Sequence, residues 1–136
     1  MQKKQSQLSG LMKNVGLKKR KMTNYIFVEH TDTPEFLDVT KELLDKQHRQ
    51  LGHLGFRYHY LIRLNGEIEK GRDIDSFAGD ICEFNSEAIG VLIVGKNNFS
   101  HHQLTTFKNI TTQLNQQYGD LKIITNLDNK KICELY

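Results

Sequence analysis

The stretch Ala88-Ile89-Gly90-Val91-Leu92-Ile93-Val94 is almost wholly apolar, and turn-forming residues follow it from Gly95 to Ser100. A run of that length without alternation fits a strand buried on both faces, and such a strand needs a covering layer above and below. That requirement points to a sheet held between helices. Tyr25-Ile26-Phe27-Val28 is shorter, aromatic and β-branched, and reads as a second buried strand.

The covering helices are legible from their ends. Thr33-Pro34 predicts a helix start, with Thr33 as cap and Pro34 at the first position, where no N–H is needed. Phe36, Leu37, Val39, Leu43 and Leu44 would form its apolar stripe, and Gly52 would stop it. Ser100 with Gln103 makes a capping box for a second helix. Leu104, Phe107, Ile110, Leu114 and Tyr118 share one face of it, and Gly119 ends it. Tyr58 to Leu64 predicts a strand, Asn65-Gly66 a hairpin turn, and Glu67 to Lys70 the return strand. Residues 74–87 form a long connection, Leu121 to Ile124 a last strand, and Thr125 to Tyr136 an irregular tail. The order strand, helix, hairpin, loop, strand, helix, strand predicts an α/β fold, a mixed central β-sheet flanked by helices.

A chain of 136 residues suits one domain and needs no covalent staple. Its two cysteines, Cys82 and Cys133, make no disulfide framework and no CxxC pair, which fits a reducing compartment. Cys82, beside Ile81 and near Phe84, is expected to be a buried thiol. No apolar run is long enough for a transmembrane helix, and the basic N-terminus lacks the apolar centre of an export signal, so a cytoplasmic location is expected. The net charge of +3 is unevenly spread: residues 1–22 hold seven Lys/Arg and no acid, while the other 12 Lys/Arg face all 16 acids. Residues 1–23 therefore read as a basic arm and residues 24–136 as the folded domain. In the arm, Leu8, Leu11, Met12 and Val15 have helical spacing, which Gly10 and Gly16 weaken; Lys18 to Lys21 reads as a solvated tail. The arm could instead bind nucleic acid or an anionic surface, or dock on a protein; Met22 could serve as a second start.

The segment Tyr58-His59-Tyr60-Leu61-Ile62-Arg63-Leu64-Asn65-Gly66-Glu67-Ile68-Glu69-Lys70-Gly71-Arg72 resembles the central block of the N-acetylmuramoyl-L-alanine amidase and peptidoglycan recognition family, G-Y-H-F/Y-x-I-x-x-D/N-G-x-I/V-x-x-G-R. Only the leading Gly differs, and Arg57 takes its place. Asn85 to Gly95 resembles the family's N-x-x-S/A-I-G-I/V-x-x-x-G block, and Lys130-Lys131-Ile132-Cys133 its K-x-C-P-x-F ending, with Glu134 in place of the Pro. The resemblance spans Tyr25 to Tyr136. It implies an amidase-like α/β fold and hydrolysis of the amide joining N-acetylmuramic acid to L-alanine. In that chemistry a zinc ion on three protein ligands activates water and polarises the carbonyl.

Carried over by position, the resemblance makes Tyr58 and Lys131 the assisting residues and Cys133 a zinc ligand. The first His ligand would stand in Phe27-Val28-Glu29-His30-Thr31, where the count places Glu29 at the ligand position and His30 beside it. A one-residue slip of the strand would exchange them. The second His ligand falls in Ile123 to Asp128, which has no His; Asp128 could lend an oxygen. A His common in the family's long loop falls near Asp80. The metal set is thus Cys133 with Glu29 or His30 and Asp128, and the groove set is Glu29, Tyr58, His59, Asp80 and Lys131. Zinc favours His and Cys, so a site built this way is expected to be empty or weakly loaded. A Glu29–Lys131 pair could stand in for the metal charge. His59 is expected to be structural, and His48, His53, His101 and His102 surface or helix-end residues.

Three functions follow. The first is a non-catalytic or weakly catalytic amidase-like domain that binds a peptidoglycan fragment or a protein partner in the former substrate groove. The second is a zinc amidase with altered ligands, of the phage-lysin kind, released to the cell wall. The third is a regulatory or nucleic-acid-associated protein that acts through residues 1–22.

Overall fold

The computed structural model describes residues 17–127. Its elements are β1 (Tyr25–His30), α1 (Lys41–Gln50), β2 (Tyr60–Ile62), β3 (Ile68–Lys70), β4 (Ala88–Ile93), α2 (His101–Tyr118) and β5 (Lys122–Thr125). They form one five-stranded mixed sheet in the order β3-β2-β4-β1-β5, with β2, β4, β1 and β5 parallel and β3 antiparallel at the edge. The apolar run predicted as the centre is the centre: every residue of β4 is buried, and β1 and β2 flank it.

The two faces are covered separately. Ile26, Val28, Ile89, Val91 and Ile93 meet Phe107, Ile110 and Leu114 of α2. Phe27, Ala88, Leu92 and Val94 meet Val39, Leu44, Phe56 and Tyr58 on the α1 side. The capping box of α2 forms in full: Gln103 N donates to Ser100 Oγ at 3.1 Å and Ser100 N to Gln103 Oε1 at 2.9 Å. The Gln103 amide also donates to Val94 O at 2.7 Å, tying the helix start to the end of the central strand. No helix among the described residues is long and apolar enough to cross a membrane.

The first helix departs from expectation. It starts at Lys41 with Thr40 as its cap, not at Thr33-Pro34. Thr40 Oγ1 accepts from Leu43 N, and Glu69 Oε2, reaching across from β3, accepts from Lys41 N at 2.6 Å. Two of the orphan donors at the helix start are thereby met, whereas Pro34 opens only a turn to Leu37 N. Phe36 and Leu37, expected in the apolar stripe, are 88% and 44% exposed.

In the basic stretch Lys18 to Lys21 the lysines are exposed as expected of a solvated tail, but the backbone and Arg20 are tied to the fold. Phe77 N donates to Lys18 O and Arg20 N to Asp75 O, both at 2.7 Å. Arg20 Nη1 donates to Ser76 O at 2.6 Å, and its guanidinium lies 5.7 Å from the centre of the Tyr118 ring. A cation seated over an aromatic face and bonded to a main-chain carbonyl is held as part of the fold.

Candidate functional site

The strand register decides which side chains reach the α1 side. Glu29 pairs with Leu92 and His30 with Ile93. Residues matched across parallel strands point the same way, so Glu29 shares the face of Leu92 and Tyr58. His30 points with Ile93 to the other face, where its ring lies 6.5 Å from Phe99. The slip that would exchange them is absent. Glu29 Oε1 accepts from the His30 backbone N–H at 3.0 Å and sits 3.5 Å from His30 Nδ1.

Tyr58 lies on Gly90. A Cβ on Gly90 would meet Ile81 Cδ1 at 2.6 Å and Tyr58 Cδ1 at 3.0 Å, so only glycine lets this ring down onto the central strand. Tyr58 is buried, and that burial, with Glu29 adding to it and Arg57 opposing, pushes its hydroxyl pKa up to about 12. It is a neutral hydrogen-bonding group at ordinary pH.

Two hollows flank this centre. One, of about 330 Å³, runs along α1 and is lined by Leu43, Gln47, His48, Arg57 and Tyr58, among others, with His30 at the end of β1 also on its wall. The other, of about 500 Å³ and wider, is lined by Phe27, Asp80, Ile81, Cys82, Phe84 and Thr125, among others. Asp80 lines this second hollow; it is exposed with a positive φ of 60°. Cys82 is half-buried, its thiol pKa raised by that burial, and it accepts from Phe84 N at 3.4 Å.

His59 does not belong to this groove, contrary to its placement there from the resemblance. It is 1% exposed. Its Nδ1 accepts from Gly90 N at 2.9 Å and its Nε2 contacts Ser76 O at 2.8 Å, which requires the proton on Nε2. A neutral tautomer is thereby fixed, and burial lowers the ring pKa to about 4. The ring takes the Gly90 donor in place of a backbone acceptor. Alternation breaks at this point: Tyr58 packs on the α1 side and Tyr60 on the α2 side.

Two groove residues were not expected. His48 stacks on Phe56 with centroids 5.7 Å apart and planes 4° from parallel, and its Nδ1 accepts from Arg57 N at 3.2 Å. Burial first, then the charge of Arg57, lowers its pKa to about 4. The spacing from Leu44 to His48, one helical turn, was the available signal. Arg57 Nε donates to Gly79 O at 2.8 Å and Nη2 to Asp80 O, clamping the long loop.

Asp128, Lys131 and Cys133, and with them the Glu29–Lys131 pair, lie outside the described residues. Among the described residues no three His, Cys, Asp or Glu side chains gather as a metal-holding group. Of the two residues the resemblance offers for the first ligand, Glu29 shares the face of Tyr58 by register, and the donors among the described residues do not by themselves fit a zinc ion.

The sequence from 18 to 133 matches the family model of N-acetylmuramoyl-L-alanine amidase. The chain is 30% identical over 125 residues to an endolysin of Klebsiella phage KP32, covering 86% of this chain and 83% of the relative. Its fold is similar to that of the N-acetylmuramoyl-L-alanine amidase LysC from Clostridium intestinale, with a TM-score of 0.71 and 28% identity over 79% of this chain and 73% of the other. The Drosophila peptidoglycan recognition protein SA shares the fold at a TM-score of 0.70 and 19% identity, over 81% of this chain and 71% of the other.

Proposed function

The chain belongs to the N-acetylmuramoyl-L-alanine amidase family, and from that premise we propose that it binds a muropeptide in the groove beside α1 with hydrolysis weak or lost. One observation carries the reading. Glu29, which the resemblance puts at the first ligand position, shares the Tyr58 face by register, and the His30 ring lies toward Phe99. A carboxylate in place of an imidazole weakens a zinc site, and the metal supplies the water activation on which the family's chemistry rests. What remains is a groove suited to binding: an apolar wall from α1, the neutral Tyr58 hydroxyl, and polar groups at the rim.

The endolysin relatives favour a second reading, in which residues beyond Leu127 complete an altered zinc site and the chain hydrolyses the wall after cytoplasmic synthesis and release. Zinc stoichiometry separates the two. The untagged chain would be equilibrated with zinc, desalted and assayed for metal, with Cys133→Ser as control, and titrated with a defined muropeptide in a calorimeter. Muropeptide binding with far less than one zinc per chain is the expected result. Near one zinc, lost in Cys133→Ser and accompanied by release of free L-alanine amino groups, would replace it with the hydrolytic reading. Absence of muropeptide binding would turn attention to a protein partner.

A further inference from the structure

We propose that Arg57 is a specificity-determining residue that receives a carboxylate of the bound peptide stem, so that the groove selects stems with free carboxyls over amidated ones. This rests on the muropeptide reading above. The observation behind it is a cation with no ion-pair partner among the described residues. None of the ion pairs among the described residues includes Arg57. Its guanidinium is held by main-chain carbonyls instead, Nε by Gly79 and Nη2 by Asp80.

A guanidinium has five N–H donors. Two are used in those bonds, so three remain, with the full positive charge, on a residue that lines the groove next to Tyr58. The charge is felt by its neighbours: it is the second cause, after burial, in the lowering of His48 and of His53, and it opposes the rise at Tyr58. Phe56, Gln47 and the His48 ring give it no negative partner. A planar fork fixed in advance loses little entropy on taking up a carboxylate, and it suits that group better than a mobile ammonium would.

The position sharpens the point. Arg57 stands where the resembling block has glycine, so this charge belongs to this chain's groove rather than to the shared motif. The backbone of Arg57 is tied down on both sides: its N–H donates to His48 Nδ1, and its Cα would lie 2.8 Å from a Cβ on Gly79. α1 and the long loop together hold the residue at the hollow along α1.

The test uses the full chain and two synthetic muropeptides that differ only in their stem carboxyls, free in one and carboxamide in the other. Calorimetric titration of the wild type is expected to show a preference of about tenfold to a hundredfold for the free acid, the usual worth of one charge-assisted hydrogen-bonded pair. In Arg57→Gln that ratio should fall to near one, and Arg57→Lys should keep part of it. Melting temperatures check that each variant is folded, and the wild-type ratio decides the matter if Arg57→Gln is not. Equal binding of both ligands by the wild type, or a preference that survives in folded Arg57→Gln, overturns the assignment and leaves the muropeptide reading standing. Binding of neither ligand by the wild type overturns both.

Discussion

The two faces of the sheet are built to different ends. On one, an 18-residue helix lays Phe107, Ile110 and Leu114 onto the alternating residues of β1 and β4, and the layer closes. On the other, a 10-residue helix covers only part of the sheet, with Leu44 its one buried residue, and two hollows stay open beside it. Leu43 and Leu51 on that helix are 45% and 73% exposed. The first face supplies stability and the second gives some of it up to keep a groove. A longer α1 would fill that groove, and a shorter α2 would leave Val91 and Ile93 uncovered.

Core truncation on the two faces should give the largest effect. Phe107→Ala removes a ring that is 1% exposed at the middle of the closed face, and a cost of about 3–5 kcal/mol is expected. Leu44→Ala, 8% exposed and next to a hollow that lets the surroundings relax, should cost about 2 kcal/mol. Chemical denaturation of both variants measures the difference. Equal losses would mean that the groove face is as tightly packed as the other.

The difference between the faces also set what could be read beforehand. The α2 face follows from periodicity: the apolar run 88–94, the stripe from Leu104 to Tyr118 and the Ser100–Gln103 box all name their places without tertiary knowledge. The α1 face depends on contacts distant in sequence. Thr40, not Thr33, caps α1 because Glu69 arrives from β3 to hold Lys41 N, and no local pattern announces that. The same holds for Arg20, whose cationic run reads as solvent-facing until Ser76 and Tyr118 are brought to it. Tyr58 and Glu29 were singled out by motif position; which of Glu29 and His30 shares the Tyr58 face needed the register, because a strand buried on both sides carries no alternation. His48 and Arg57 were visible as residues but not as partners, since the loop between α1 and β2 joins them.

Histidine titration separates the faces by a smaller amount. His59, on the closed side, and His48, at the groove, both have pKa values lowered to about 4, mainly by burial. In the unfolded chain each should titrate near 6.5. Above that value both states are neutral and the full stability is present. As pH falls from about 6.5 to about 4 the unfolded chain takes up the proton first, so stability falls through that window and levels off below it. His59 should account for roughly 3 kcal/mol of this loss, an order-of-magnitude figure. His48 is only partly buried and is screened by solvent, so its share should be clearly smaller. Denaturation at pH 7 and pH 4.5 of the wild type, His59→Gln and His48→Gln would show it. The pH dependence should flatten more in His59→Gln; the reverse order would mean that the groove, not the closed face, holds the more tightly buried ring.

The smallest effect is expected where the groove wall meets solvent. Arg63, at the start of the hairpin turn, bonds Asp38 through Nε and Nη2 and Glu69 through Nη1 at 3.1 Å. The Asp38 carboxyl is held below the usual carboxylate range, first by its hydrogen bond from Arg63. This pair joins the segment before α1 to the β2–β3 hairpin, and it is the one ionic tie between them among the described residues. It is also largely in water, where exposed pairs contribute between nothing and about 1 kcal/mol and are screened by salt. Asp38→Ala should therefore lower stability by less than about 1 kcal/mol, and 1 M sodium chloride should remove most of the difference from wild type. Arg63 keeps Glu69, and Glu69 keeps Lys41 N, so the start of α1 survives the change. A loss well above that size, insensitive to salt, would mean that the groove wall is set by this one pair, and the partly covered face would then be a strained arrangement rather than a relaxed opening.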